Sequence, residues 1–103
     1  MKLTFVKSKD AGNVKYELYK IEDYEVIVST YDSGYKCISV SKRERERYLP
    51  EIFCKDDFKG NILGFEIQTT SYGAMNVEDI QKVIAGYNKA IEIVEVLTKE
   101  FVK

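Results

Sequence analysis

The last quarter of the chain constrains the fold most. From Val77 to Phe101 the apolar residues Ile80, Val83, Ile84, Tyr87, Ile91, Val94, Leu97 and Phe101 recur at steps of three and four, the spacing of an amphipathic helix. Asn76 stands where an N-cap is needed, because its side-chain oxygen accepts from free amides of the first turn. Glu78 and Asp79 follow where the positive end of the helix dipole favours anions; Ser71 is an alternative cap a few residues earlier. A helix of about 25 residues spans about 37 Å, nearly twice the length of a six-residue strand. It must lie diagonally across a sheet, or project from it and find another partner. Gly86 in its middle costs about 1 kcal/mol relative to Ala, which close approach to the sheet or to another helix would explain.

Everything before the helix alternates in twos and is broken by turns, as strands do. Leu3 to Val6 reads as a first strand. Val14, Tyr16 and Leu18 alternate with Lys15, Glu17 and Tyr19 in a second, which runs to about Ile21. Glu22-Asp23 has the length of a tight hairpin turn without its favoured Gly. A third strand runs from Tyr24 to Tyr31. Asp32-Ser33-Gly34 turns it back, Gly34 supplying a positive φ, and Tyr35 to Ser41 returns as the fourth with Ile38 and Val40 on one face. Residues 42–61 form a long charged excursion around Pro50, anchored by Tyr48, Leu49, Ile52, Phe53 and Phe58 and holding at most one helical turn. A last strand follows from Ile62 to Thr70, with Leu63, Phe65, Ile67 and Thr69 alternating against Gly64, Glu66 and Gln68. The expected fold is α+β: an antiparallel meander of four to five strands covered by one C-terminal helix at about 77–101.

At 103 residues the chain forms one domain with a modest core. Hydrophobic and charged fractions of 45% and 32%, with eight Tyr and five Phe, are those of an ordinary globular domain rather than a disordered segment. The first residues carry too short an apolar run for an export signal, and no run approaches the length of a membrane span. Cys37 and Cys54 therefore read as reduced thiols in a cytoplasmic protein. The formal net charge of −1 neither demands nor excludes nucleic acid, although dedicated binders are generally more basic.

The chain contains no histidine, which removes Ser-His and Cys-His nucleophile pairs and most catalytic zinc sites. Gly60 to Gly64 lacks the Lys and Ser/Thr of a phosphate-binding loop. The carboxylate pairs Asp56/Asp57 and Glu44/Glu46 sit in charged loops, as solvated surface does. No catalytic residue, cofactor or metal ligand is expected, and an enzyme ranks last among the readings.

The tract Lys42-Arg43-Glu44-Arg45-Glu46-Arg47-Tyr48 is the unusual one. Continued as a strand, it points Arg43, Arg45 and Arg47 one way and the glutamates the other. Lys42 and these arginines, with Tyr31, Tyr35 and Tyr48, are the candidate binding surface: cations for phosphates, rings for bases. The competing reading is a charged edge that blocks aggregation between sheets. On the helix, Ile93 and Val96 lie off the main stripe and either widen the buried face or form a contact between two copies. The order of elements, strands then one long helix, resembles that of small single-stranded nucleic-acid-binding folds of the coactivator and Pur type. The resemblance implies paired helices and a curved sheet that holds the strand. The leading expectation is nonetheless a non-catalytic accessory protein that works through a protein surface, alone or as a homodimer, with nucleic-acid binding second.

Overall fold

The computed structural model describes residues 1–43 and 47–103. Six strands, β1 (Thr4–Asp10), β2 (Val14–Ile21), β3 (Tyr24–Tyr31), β4 (Lys36–Lys42), β5 (Ile52–Asp56) and β6 (Ile62–Ile67), precede one helix, α1 (Val77–Phe101). The strands form a single antiparallel sheet in chain order, β1-β2-β3-β4-β5-β6, so each pairs with its neighbour in sequence. The expected α+β meander with its C-terminal helix is present. The added strand is β5, within the 42–61 excursion, and it pairs with β4 and β6. The helix begins at its cap: the Asp79 amide donates to Asn76 Oδ1 at 2.8 Å.

Glu22 takes φ 52 in the two-residue turn between β2 and β3, which Ile21 and Tyr24 close as partners; the turn length prevails over the missing Gly. At the other end of the sheet, Gly60 approaches the Gly34 carbonyl so closely that a Cβ there would collide with it. The β5–β6 turn is thereby seated on the β3–β4 turn.

Register divides the sheet into two faces. Ile21, Tyr24, Val26, Val28, Ile38, Val40 and Ile52 face α1 and are buried, together with Ile62. From the helix, Gly86, Ala90, Ile93 and Leu97 close over them. Complete burial of Ile93 and Leu97 stabilises the fold by roughly 2–3 kcal/mol each. Edge-on ring contacts, Phe5 to Tyr19 at 5.5 Å and Tyr19 to Phe101 at 5.7 Å, carry the core out toward β1.

Three expectations are corrected. The buried line of α1 runs through Gly86, Ala90, Ile93 and Leu97, whereas Ile80, Ile84 and Ile91 of the expected stripe are exposed. The apolar arc is wider than the sheet covers, and its seated side includes the small residues Gly86 and Ala90. Ile93, expected beside the main stripe, lies at the centre of the core with no exposure, so it is not available to a second copy; Val96 is half-buried against the same cluster. In β6, Leu63 is the extra residue of a bulge that pairs Asp56 with Ile62 and Lys55 with Gly64; it turns outward while Ile62 turns in.

The loop before β5 explains Gly86. Its Cα faces the backbone of Tyr48 and Leu49, and a Cβ would fall inside the van der Waals radius of the Tyr48 carbonyl oxygen. Ala gains about 1 kcal/mol in helix propensity, but overpacking against a backbone atom costs about 1–3 kcal/mol, because an oxygen held in the chain yields less than a flexible side chain. Gly86→Ala is expected to lower the urea midpoint with the m-value unchanged. A raised midpoint would mean that helix and loop are not in contact here.

Candidate binding surfaces

The residues singled out in the sequence fall into two groups at opposite ends of the β3–β4 hairpin. Tyr24 pairs with Lys42 at one end and Thr30 with Lys36 at the other, so about 20 Å of strand separates Lys42 from the Tyr31 end. The six described candidates do not form one surface. Arg45, with Glu44 and Glu46, lies outside the described residues.

At the Lys42 end Lys42 and Arg47 have side-chain partners within the chain, and Arg43 is held by its backbone. Lys42 Nζ donates to the Leu49 carbonyl and lies 3.8 Å from Glu51, and the Arg43 amide donates to the Asp23 carbonyl at 3.4 Å. The Arg47 guanidinium sits 5.0 Å from the centre of the Tyr48 ring, with Lys82 at 5.8 Å. Tyr48 in turn donates its hydroxyl to Asp79 at 3.2 Å. This arrangement ties the loop to the first turn of α1; among its described side chains, Arg43 and Arg47 are exposed.

At the Tyr31 end three rings stack in a row: Tyr31 on Tyr35 at 5.5 Å, and Tyr35 on Phe58 at 6.2 Å. Phe58, expected from the sequence to anchor the 42–61 segment to the domain, is instead 79% exposed and held at φ 58, and Phe53 is likewise exposed. The acidic residues here build the turn. Asp56 accepts from the Phe58 amide at 2.8 Å. Asp57 accepts from the Lys59 and Asn61 amides and from the Asn61 side chain, and the Asn61 side chain does most to hold its carboxyl below the usual carboxylate range. Both carboxylates are occupied as acceptors in a turn.

The larger surface is the sheet face turned away from α1. There β2 directs Val14, Tyr16 and Leu18, paired with Tyr31, Ser29 and Ile27 of β3; Val14 is itself buried, which leaves Tyr16 and Leu18 as the accessible pair. The apolar set of β2's alternation therefore points away from the helix, while Lys15 and Glu17 share the helix's side and stay beyond its reach. Tyr16 and Ile27 are exposed and Leu18 half-buried. With Lys7, Ser8 and Lys9 of β1 they line a shallow, apolar-floored depression. Phe53, which pairs with Ser39, extends the exposed apolar residues along this face onto β5. Lys20–Glu25 and Lys55–Glu66 are paired at 4.0 and 2.8 Å, whereas Lys7 and Lys9 form no ion pair among the described residues. The sequence signal for this face was the run Val26-Ile27-Val28, apolar on both sides of a central strand.

Cys37 and Cys54 are free and face opposite sides of the sheet, since Cys37 pairs with Ser29 and Cys54 with Phe65. Burial pushes the Cys54 thiol up to about 11, against a smaller opposing effect of a backbone hydrogen bond with Ile38. Among the described residues no group of three or more Cys, Asp or Glu is placed to hold a metal ion, and no helix is long and apolar enough to cross a membrane. Compared with protein-family models, curated proteins and solved structures, the chain matches none.

The raised thiol has a defined pH consequence. The unfolded chain ionises Cys54 first, so this thiol's contribution to stability is complete below about pH 9 and is lost as the pH rises toward 11. In the native protein, alkylation of Cys54 by iodoacetamide, followed by peptide mass spectrometry, is expected to run on the order of 100-fold slower than in the urea-unfolded chain. Equal rates would remove the burial argument.

Proposed function

We propose that this chain is a small, non-catalytic binding protein that holds a protein partner against the outer face of its sheet. One observation carries the reading: Tyr16 and Leu18, on the apolar side of β2, lie with Ile27 on a face that no described element of the chain covers. An apolar floor of this kind on a soluble domain marks an interaction site. The rim indicates the partner's chemistry. Lys7 and Lys9 border the floor without a described ion pair, so the complementary surface is apolar at its centre and acidic at its edge. The absence of histidine from the sequence and the structural use of Asp56 and Asp57 in their turn support a role without catalysis. The setting consistent with two free thiols is the cytoplasm.

Single-stranded nucleic acid is the weaker reading. Its proposed cations around Lys42 and its rings at Tyr31 and Tyr35 stand a strand's length apart, and Lys42 is engaged by Leu49 and Glu51. Lys7 and Lys9, the two outer-face lysines without an ion pair among the described residues, would neutralise few phosphates.

The test is affinity capture with the wild-type chain beside two face variants, Ile27→Glu and the pair Lys7→Glu/Lys9→Glu. A protein retained by the wild type, weakened by salt and lost with both variants supports the reading; capture indifferent to both overturns it. Fluorescence anisotropy with labelled single-stranded DNA and RNA is expected to show no change. Binding that falls steeply with salt and is lost in Arg43→Ala/Arg47→Ala would establish the nucleic-acid reading instead.

A further inference from the structure

The two edges of the sheet are unequal. At one, β6 has α1 packed against it, and the chain leaving β6 is bound to the helix. The Thr70 amide donates to the Tyr87 hydroxyl at 3.0 Å, and that hydroxyl donates to the Gln68 carbonyl at 3.4 Å. At the other edge β1 pairs only with β2, and all seven of its residues are exposed. Its outward amides and carbonyls are a template for a further strand. Pairing with Leu18 and Tyr16 sets Lys7 and Lys9 on the outer face, about 7 Å apart along the strand. Neither forms an ion pair among the described residues. The acid at the end of β1, Asp10, accepts from the Gly12 amide at 3.1 Å. On the other side of the strand Ser8 stands beside Glu17, and Phe5 beside Tyr19.

Resting on the outer-face reading above, we infer that the partner binds through an extended segment that adds to β1 as a seventh strand, with Asp or Glu at alternate positions on the outer side. Charge decides the occupant. Antiparallel overlap of β1 with a second copy, centred on Lys7 or on Ser8, sets lysine against lysine, and like charges directly opposite are unfavourable. The same lysines that disfavour another copy at this edge match a strand carrying carboxylates two residues apart. Acids belong on that side alone. The strand's other side meets Ser8, with Glu17 behind it, and the exposed ring of Phe5, so uncharged residues suit it. Backbone hydrogen bonds then supply affinity and the alternate side chains supply the choice of partner. Lys7 and Lys9 also border the floor of Tyr16, Leu18 and Ile27, so a segment held at this edge brings the rest of its protein over that floor.

Amide hydrogen exchange on the full chain tests this, with a capped synthetic peptide that alternates Glu with Val and Thr, at millimolar concentration. The β1 amides not bonded to β2 are expected to exchange at least about 2-fold more slowly, the protection of a half-occupied edge. A peptide with Lys in place of Glu is expected to leave the exchange unchanged. So is a Glu peptide N-methylated along its backbone, which keeps its charges but cannot donate to an edge. Lys7→Glu/Lys9→Glu is expected to weaken the peptide on the order of 10-fold, whereas Ile27→Glu, on the floor rather than the edge, leaves its binding unaltered. No protection of β1 by the Glu peptide, equal protection by the Lys peptide, or protection that survives N-methylation would overturn the inference. The two readings fail separately. Capture of a protein lost in Ile27→Glu, with β1 unprotected by the peptide, would keep the outer face and remove the seventh strand.

Discussion

A helix with apolar residues over half its circumference can settle on a sheet in several rotations, and large side chains alone do not choose among them. Here the choice falls where α1 meets the backbone of Tyr48 and Leu49. Only a residue without a Cβ allows that approach, and Gly86 is the one glycine in the helix. Once Gly86 faces the loop, helical geometry brings Ala90, Ile93 and Leu97 onto the sheet. The same contact holds the segment between β4 and β5, whose end Tyr24 secures by donating its hydroxyl to the Pro50 carbonyl. The crossing from β4 to β5, the roll of the helix and the identity of its exposed residues follow from one close approach.

That dependence explains what could and could not be read from the sequence. The limits of α1 and its Asn76 cap were legible because periodicity and capping are local. So were β2 and β3, where turn residues and alternation agree. The roll of α1 was not, because a stripe drawn through bulky residues passes over Gly86 and Ala90, and small residues register only against what they touch. β5 was hidden for a related reason. Ile52-Phe53-Cys54-Lys55-Asp56 is short and partly charged, and its strand character comes from its neighbours β4 and β6. The outward turn of Leu63 depends on a bulge, which is a relation between two strands. Alternation in β2 was visible, but its direction was not: which side faces the core is decided by how far α1 reaches across the sheet.

The charged tract shows the same division. Its composition suggested an exposed grip for phosphates, yet among the described residues Lys42 closes the loop onto Leu49 and Glu51, and Arg47 covers Tyr48. These bonds are structural in consequence, because they hold the segment whose backbone receives Gly86. Individually such partly exposed pairs contribute little. Their effect lies in fixing where the loop sits, which in turn fixes the helix.

Two apolar surfaces then remain on one small domain, and they do not compete. The exposed side chains of Ile80, Ile84 and Ile91 lie on the helix side of the sheet, whereas Tyr16, Leu18 and Ile27 lie on the opposite side. Both follow from one limit: α1 covers only the side of the sheet that its approach at Gly86 allows, and the apolar residues beyond that contact stay uncovered.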